Sequence, residues 1–239
     1  MTQVIFLDAV GTLFGVKESV GTAYAKIARN FEVEVSPEIV NQAFIKSFFS
    51  ATPMAFPGVD ALRIPEKEFE WWQKIAVQTF QTVGAFEQFS DFNQFFRELY
   101  DYFTTAEPWF VYEDVKPTLA KWQNQGLELA VLSNFDSRLY PVLKSLDLAQ
   151  FFSSITISTE VGAAKPEAQI FTAALQKHHC TLVEAWHIGD SLKADYQGAK
   201  ALGMKAIWLN REPEEETAWR SLAIPESDYC TSLEDLALT

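Results

Sequence analysis

Val4-Ile5-Phe6-Leu7-Asp8-Ala9-Val10-Gly11-Thr12 runs from four successive apolar residues into a carboxylate and then a glycine-led turn. Four apolar side chains in a row leave no polar face, the pattern of a parallel strand covered on both sides. Far downstream, Ser133, Lys165 and Asp190 each follow a similar run. In a parallel α/β sheet the carboxyl ends of the strands open onto one crevice, where ligands bind. The placement therefore predicts one site built from a carboxylate, a hydroxyl, an ammonium and a second carboxylate.

The pattern around these residues divides the chain. From about Val16 to Phe110 apolar residues recur at helical spacing without a convincing strand, as in Trp72, Ile75, Ala76 and Phe80. Pro53, Pro57, Gly58, Pro65 and Gly84 punctuate this stretch into about four helices. After Pro108, helices are expected over 115–125, 138–146, 167–177 and 195–202. Strands are expected over 127–132, 154–158, 185–188 and 205–209. Gly126 suits a left-handed helix end, Pro166 a first helical turn, and Thr231 or Ser232 the cap of a closing helix over 231–238. Alternating strands and helices imply a doubly wound parallel sheet. The helical stretch is too long for an ordinary crossover. It is expected to form a helical cap domain over 16–111, hinged near Gly15 and Pro108–Pro117, on an α/β core of 1–15 and 112–239.

At 239 residues and 48% hydrophobic content, the chain has the makings of a folded, soluble protein. Its net charge of -13 repels phosphate backbones and anionic lipid, so no nucleic acid or membrane partner is expected. An anionic substrate would need local neutralisation by a lysine, a metal ion or helix N-termini. Cys180 and Cys230 lack a CxxC spacing and fit a reduced compartment. No signal peptide or membrane-spanning run is visible, so the expected location is cytoplasmic.

Asp8 is a candidate nucleophile, since a positioned carboxylate can attack phosphorus or carbon and form a covalent ester. Gly11 permits a tight turn after it, and Thr12 can bond a carboxylate through its hydroxyl and N–H. Ser133-Asn134 can hold an oxyanion through the Ser hydroxyl and the Asn N–H, though such a pair is also ordinary turn or cap content. Lys165 is either a surface charge or the cation that lets an anion approach Asp8. Asp190 suits Mg²⁺, which binds through one or two carboxylates and keeps several waters. Asp195 is either the N-cap of the following helix or a support for the metal ligands.

The segments FLDAVGTLF, LSNFD, AKPEAQIF and HIGDSLKADYQGAKALGM, in that order, resemble the haloacid dehalogenase-like hydrolase superfamily, in the branch whose helical cap follows the first segment. The resemblance spans essentially the whole chain and implies a Rossmann-like core. It implies Asp8 as nucleophile, and Ser133 and Lys165 as ligands of the transferring group. Asp8, Asp190 and the Val10 backbone carbonyl would be the ligands of Mg²⁺. Val10 departs from the phosphatase pattern, where an aspartate acts as general acid and base. Dehalogenase relatives also lack that aspartate, but they typically lose the Gly-Asp pair retained here as Gly189-Asp190. They also carry an early cap arginine, whereas 37–50 has Lys46 only. Phosphonate-cleaving relatives use a cap lysine, for which Lys17, Lys26 and Lys46 are formal candidates. The expected activity is Mg²⁺-dependent hydrolysis of a small phosphorylated metabolite through an aspartyl-phosphate. The alternatives are 2-haloacid dehalogenation, or a catalytically weak ligand-binding or regulatory protein on the same fold.

Other conspicuous residues read as structural. Trp71, Trp72 and Trp109 are expected in the core rather than as a stacking platform. His178-His179 reads as a solvated helix end, His187 as a satisfied core histidine, and Cys180 has no evident activating partner.

Overall fold

The computed structural model describes residues 3–212 and 222–236. β1 (Val4–Leu7) is wholly buried. Its side chains alternate between two cores: Ile5 and Leu7 enter one, Val4 and Phe6 the other. This is the covered central strand that the continuous apolar run requires. β1 pairs in parallel with β4 (Glu128–Ser133) and β6 (Ala185–Gly189). β5 (Ser154–Ile157), β7 (Lys205–Leu209) and β8 (Tyr229–Cys230) complete a six-stranded sheet among the described residues. Its order is β5-β4-β1-β6-β7-β8, and every pairing is parallel. Helices α5 (Val115–Asn124), α6 (Leu139–Ser145), α8 (Ala168–Lys177) and α9 (Gly198–Ala201) accompany the strands, with a single turn, α7 (Ser158–Val161), after β5. The two cores follow from the doubly wound arrangement, because the sheet buries both faces.

The stretch after β1 holds α1 (Val20–Arg29), α2 (Pro37–Ser50), α3 (Ile64–Val83) and α4 (Phe92–Tyr102). Ser19, Ser36 and Asp91 cap α1, α2 and α4 through their side chains, and Gly84 ends α3 in the left-handed region at φ 76°. An aromatic core of its own unites them: Phe80 meets Phe89, Phe92 and Phe95 edge-on and stacks on Tyr24. The sequence pattern shows no strand near this stretch, yet two short ones frame it. β2 (Phe14–Val16) pairs antiparallel with β3 (Trp109–Val111) where the chain leaves and re-enters the α/β unit. A Cβ at Gly15 would strike the Phe110 ring, so glycine lets the two strands close. Three residues are too few for alternation to show against a helical background.

Three further expectations change. The helix expected over 195–202 starts earlier, as a wide π-turn over Leu192–Gln197 that leads into α9; Ser191, not Asp195, caps it. Pro166 precedes the N-cap Glu167 of α8 and lies outside its first turn. In place of the closing helix, a 3₁₀ turn over Leu233–Asp235 is capped by Ser232, and 237–239 lie outside the described residues. That turn is fastened to the core by Asp114, which accepts from Ser232 Oγ at 2.9 Å and Leu233 N at 2.7 Å. Asp114 also pairs with Arg211, whose Nη2 donates to the Thr12 carbonyl at 2.7 Å. Among the described residues no helix is long and apolar enough to cross a membrane.

Candidate active site

The carboxyl ends of β1, β4 and β6 bring Asp8, Ser133 and Asp190 to one crevice, and the loop before α8 adds Lys165. Lys165 is buried and its ammonium donates to Asp8 Oδ1 at 2.7 Å, Asp195 Oδ1 at 2.5 Å and the Leu132 carbonyl at 2.9 Å. It is therefore a bridge between two carboxylates rather than a surface charge. Burial favours the neutral amine, but Asp195 and Asp8 outweigh it and hold the ammonium above its ordinary pKa.

Asp195 also meets His187 Nε2 at 2.7 Å and accepts from the Ser191 N–H at 2.9 Å. Burial opposes its ionisation, yet Lys165 and the His187 hydrogen bond keep its carboxyl below the ordinary range. Asp195 is thus a fixed anion behind the site, not a helix cap. His187 is buried in β6 and only half satisfied, since its Nδ1 has no partner.

Carboxylate oxygens of Asp8, Asp190 and Asp195 lie within 4.8 Å of one another. Asp190 is the one open to solvent, although its carboxyl is crowded low in the crevice. Desolvation there, then the charges of Asp8 and Asp195, push that carboxyl up to about 8. Like charges at this spacing raise a carboxyl whatever the degree of burial. Two glycines make the crowding possible: a Cβ on Gly11 would strike the Asp190 carboxylate, and one on Gly189 the Asp195 carboxylate. Gly11 also adopts φ 83°, which side chains rarely tolerate.

Ser133 is buried and lines the crevice. Asn134 does something the sequence pattern does not reveal: its side chain bonds both the N–H and the carbonyl of Lys165, fixing the loop that carries the ammonium. Thr12 does not make the expected bond to a carboxylate. Its N–H turns to the Ala9 carbonyl, and its buried hydroxyl has no partner. Val10 borders the crevice with an apolar side chain. None of Lys17, Lys26 and Lys46 lines it, so no cap lysine faces Asp8.

The helical unit reaches the core through polar contacts that periodicity did not show. Buried Glu68 of α3 accepts from Ser137 N at 2.9 Å, Thr159 Oγ1 at 2.6 Å and the Ser137 hydroxyl. Trp72 Nε1 donates to Asp136 Oδ2 at 2.6 Å, so this tryptophan is neither plain core nor a free platform. Asp136 in turn pairs with Arg138, which stacks on Tyr100 at 3.9 Å. His178, expected at a solvated end, is instead tucked against the sheet, with Nε2 2.6 Å from Ser154 Oγ.

Comparison with known proteins identifies the family and the fold. A family model for haloacid dehalogenase-like hydrolases matches residues 2–203. The mouse haloacid dehalogenase-like hydrolase domain-containing protein 3 is 33% identical over 234 residues, covering 96% of this chain and 90% of that protein. The L-2-haloacid dehalogenase from Xanthobacter autotrophicus with chloropropionic acid covalently bound shares the fold at TM-score 0.70 and 17% identity, over 98% of this chain and 96% of that one. A HAD-hydrolase, YfnB, from Bacillus subtilis bound to magnesium superposes at TM-score 0.65 and 16% identity, again over 98% and 96%. With that family model matching most of its length and a relative one third identical along nearly all of it, the chain belongs to the haloacid dehalogenase-like hydrolases.

Proposed function

We propose that the chain is a Mg²⁺-dependent phosphohydrolase acting on a small phosphorylated molecule through Asp8. The carrying observation is the charge imbalance: three clustered carboxylates face one ammonium, and burial together with the charges of Asp8 and Asp195 raises Asp190. A divalent cation relieves that imbalance, and the oxygen donor set fits Mg²⁺. Asp8, Asp190 and the Val10 backbone carbonyl are the groups that would hold it. Bound there, the ion supplies Lewis acidity toward phosphoryl oxygens.

The chain's own residues do the rest. Asp8 adds to phosphorus, the bond to the leaving oxygen breaks, and the electron pair departs with that oxygen. Lys165 neutralises charge between Asp8 and the incoming phosphoryl group, and Ser133 offers a hydroxyl to one of its oxygens. Water then adds to phosphorus, Asp8 is released as carboxylate, and the water's proton leaves with inorganic phosphate. The helical cap covers the crevice and excludes bulk water from the ester.

Carbon–halogen hydrolysis by Asp8 is the competing reading, favoured by Val10, but it gives the crowded Asp190 no task. The discriminating experiment is a panel of phosphomonoesters, phosphonates and 2-haloacids with and without Mg²⁺. Phosphate release that requires Mg²⁺ and disappears in Asp8→Asn is expected. Mg²⁺ should also raise the melting temperature of the wild type and much less that of Asp190→Asn. Halide release without Mg²⁺ would overturn the proposal, and equal melting shifts would remove the metal assignment.

A further inference from the structure

The crevice and the space above it form one cavity of about 700 Å³ between the helical cap and the sheet, a volume ample for a ring-sized ligand. Above the Asp8 floor its walls are apolar and aromatic, among them Val10, Val16, Tyr24, Phe44, Leu99 and Trp109. Two cations line it among the described residues, Lys165 and Arg138. Neither is free. Lys165 is held by Asp8 and Asp195, and Arg138 bonds both oxygens of Asp136 at 2.9 Å and 2.7 Å while stacked on Tyr100. A second anionic group on a substrate would be desolvated there without a partner, which is costly.

Val10, at the position where the phosphatases that the chain resembles carry their acid, borders the same cavity with an apolar side chain that can give no proton. An alkyl alcohol ionises about as reluctantly as water, near 15.7, and departs poorly without a proton. A phenolic oxygen ionises at about 10 and can leave as the anion. The apolar walls and the missing acid are separate observations that converge on one chemistry.

Resting on the phosphohydrolase reading above, we infer that the site takes the phosphate monoester of an uncharged aromatic alcohol. The ring occupies the cap cavity and the phosphoryl group sits over Asp8. Asp8 forms the new bond to phosphorus, the phosphorus–aryl oxygen bond breaks, and the aryloxide leaves with the electron pair. It takes its proton from solvent after release. Water then cleaves the aspartyl-phosphate, returning the carboxylate and dihydrogen phosphate.

The test compares 2-naphthyl, phenyl and 4-carboxyphenyl phosphates, whose leaving oxygens are of similar acidity, with cyclohexylmethyl phosphate, which is apolar but leaves poorly. All are assayed with Mg²⁺ on the full chain. In kcat/KM, naphthyl should exceed phenyl by at least about tenfold, in keeping with added apolar contact in a pocket. Both should exceed the carboxylated and alkyl esters. Phe48→Lys, at a partly exposed cavity position, should narrow the gap between naphthyl and carboxyphenyl esters. Binding to Asp8→Asn, followed by tryptophan fluorescence, should show the same order for naphthyl, phenyl and carboxyphenyl phosphates. If alkyl or carboxylated esters are turned over as well as naphthyl phosphate, the substrate class is wrong while the phosphohydrolase reading survives. If no ester is hydrolysed and Asp8→Asn still binds naphthyl phosphate selectively, the pocket assignment stands and the reaction falls. If neither occurs, both fall.

Discussion

Asn134 clamps the peptide of Lys165 from both sides: Oδ1 accepts from the Lys165 N–H at 2.7 Å and Nδ2 donates to the Lys165 carbonyl at 2.9 Å. The loop after β4 thereby sets where the ammonium stands against Asp8. Asn134→Ala removes both bonds, each worth about 0.5–1.5 kcal/mol net. A stability loss of about 1–3 kcal/mol in urea unfolding is expected, with a fall in turnover. Asn134→Asp keeps an acceptor but no donor and should recover part of it. Wild-type stability in Asn134→Ala would show the clamp to be idle.

Removing the buried ammonium should be more damaging. Lys165→Met leaves Asp8 and Asp195 without their shared cation, and breaking a buried pair typically costs about 3–5 kcal/mol. Asp195 is held below the ordinary carboxylate range, so its contribution is present above its unfolded pKa of about 3.9 and lost as pH falls through the lowered value. The stability gap between wild type and Lys165→Met should therefore narrow on acidification. A gap independent of pH would mean that packing, not charge, is what the lysine provides.

Position 10 should control leaving-group dependence. Val10→Asp is expected to accelerate esters with poor leaving groups by at most about 10²–10⁴-fold, the range of a positioned general acid. Esters that leave unaided should gain far less, and Asp8→Asn should abolish turnover in either background. Vigorous wild-type turnover of alkyl esters would point to another acid at the site.

Glu68 ties α3 to the core, and its environment makes that tie sensitive to pH. Burial raises its carboxyl despite the hydrogen bonds from Ser137 and Thr159. A carboxyl raised in the folded state stays protonated after the unfolded chain has ionised. Stability should fall as pH rises from its unfolded pKa of about 4.3 through the raised value. Glu68→Gln, which cannot ionise, should flatten that decline in a urea series across the window. Identical pH slopes in the two proteins would contradict this account.

Much of the architecture was readable because it rests on local pattern. The apolar run Val4–Leu7 announced a doubly covered strand, and Gly84 and Gly126 announced helix ends through the left-handed backbone that glycine favours. The convergence of Asp8, Ser133 and Asp190 followed from topology, since parallel strands present their carboxyl ends to one side. Tertiary structure alone decided which polar atoms meet. The Asn134 clamp, the Lys165 bridge between Asp8 and Asp195, and the Glu68 and Trp72 contacts join residues far apart in the chain, and periodicity carries no signal for such pairs. The 3₁₀ turn at Leu233–Asp235, where local pattern favoured a helix, is held by Asp114 across 118 positions of sequence. Propensity is a weak prior, and the long-range hydrogen bonds that a folded core supplies outweigh it. The cavity has the same origin: the sequence supplies aromatic helix faces, and the junction at β2 and β3 brings them over Asp8.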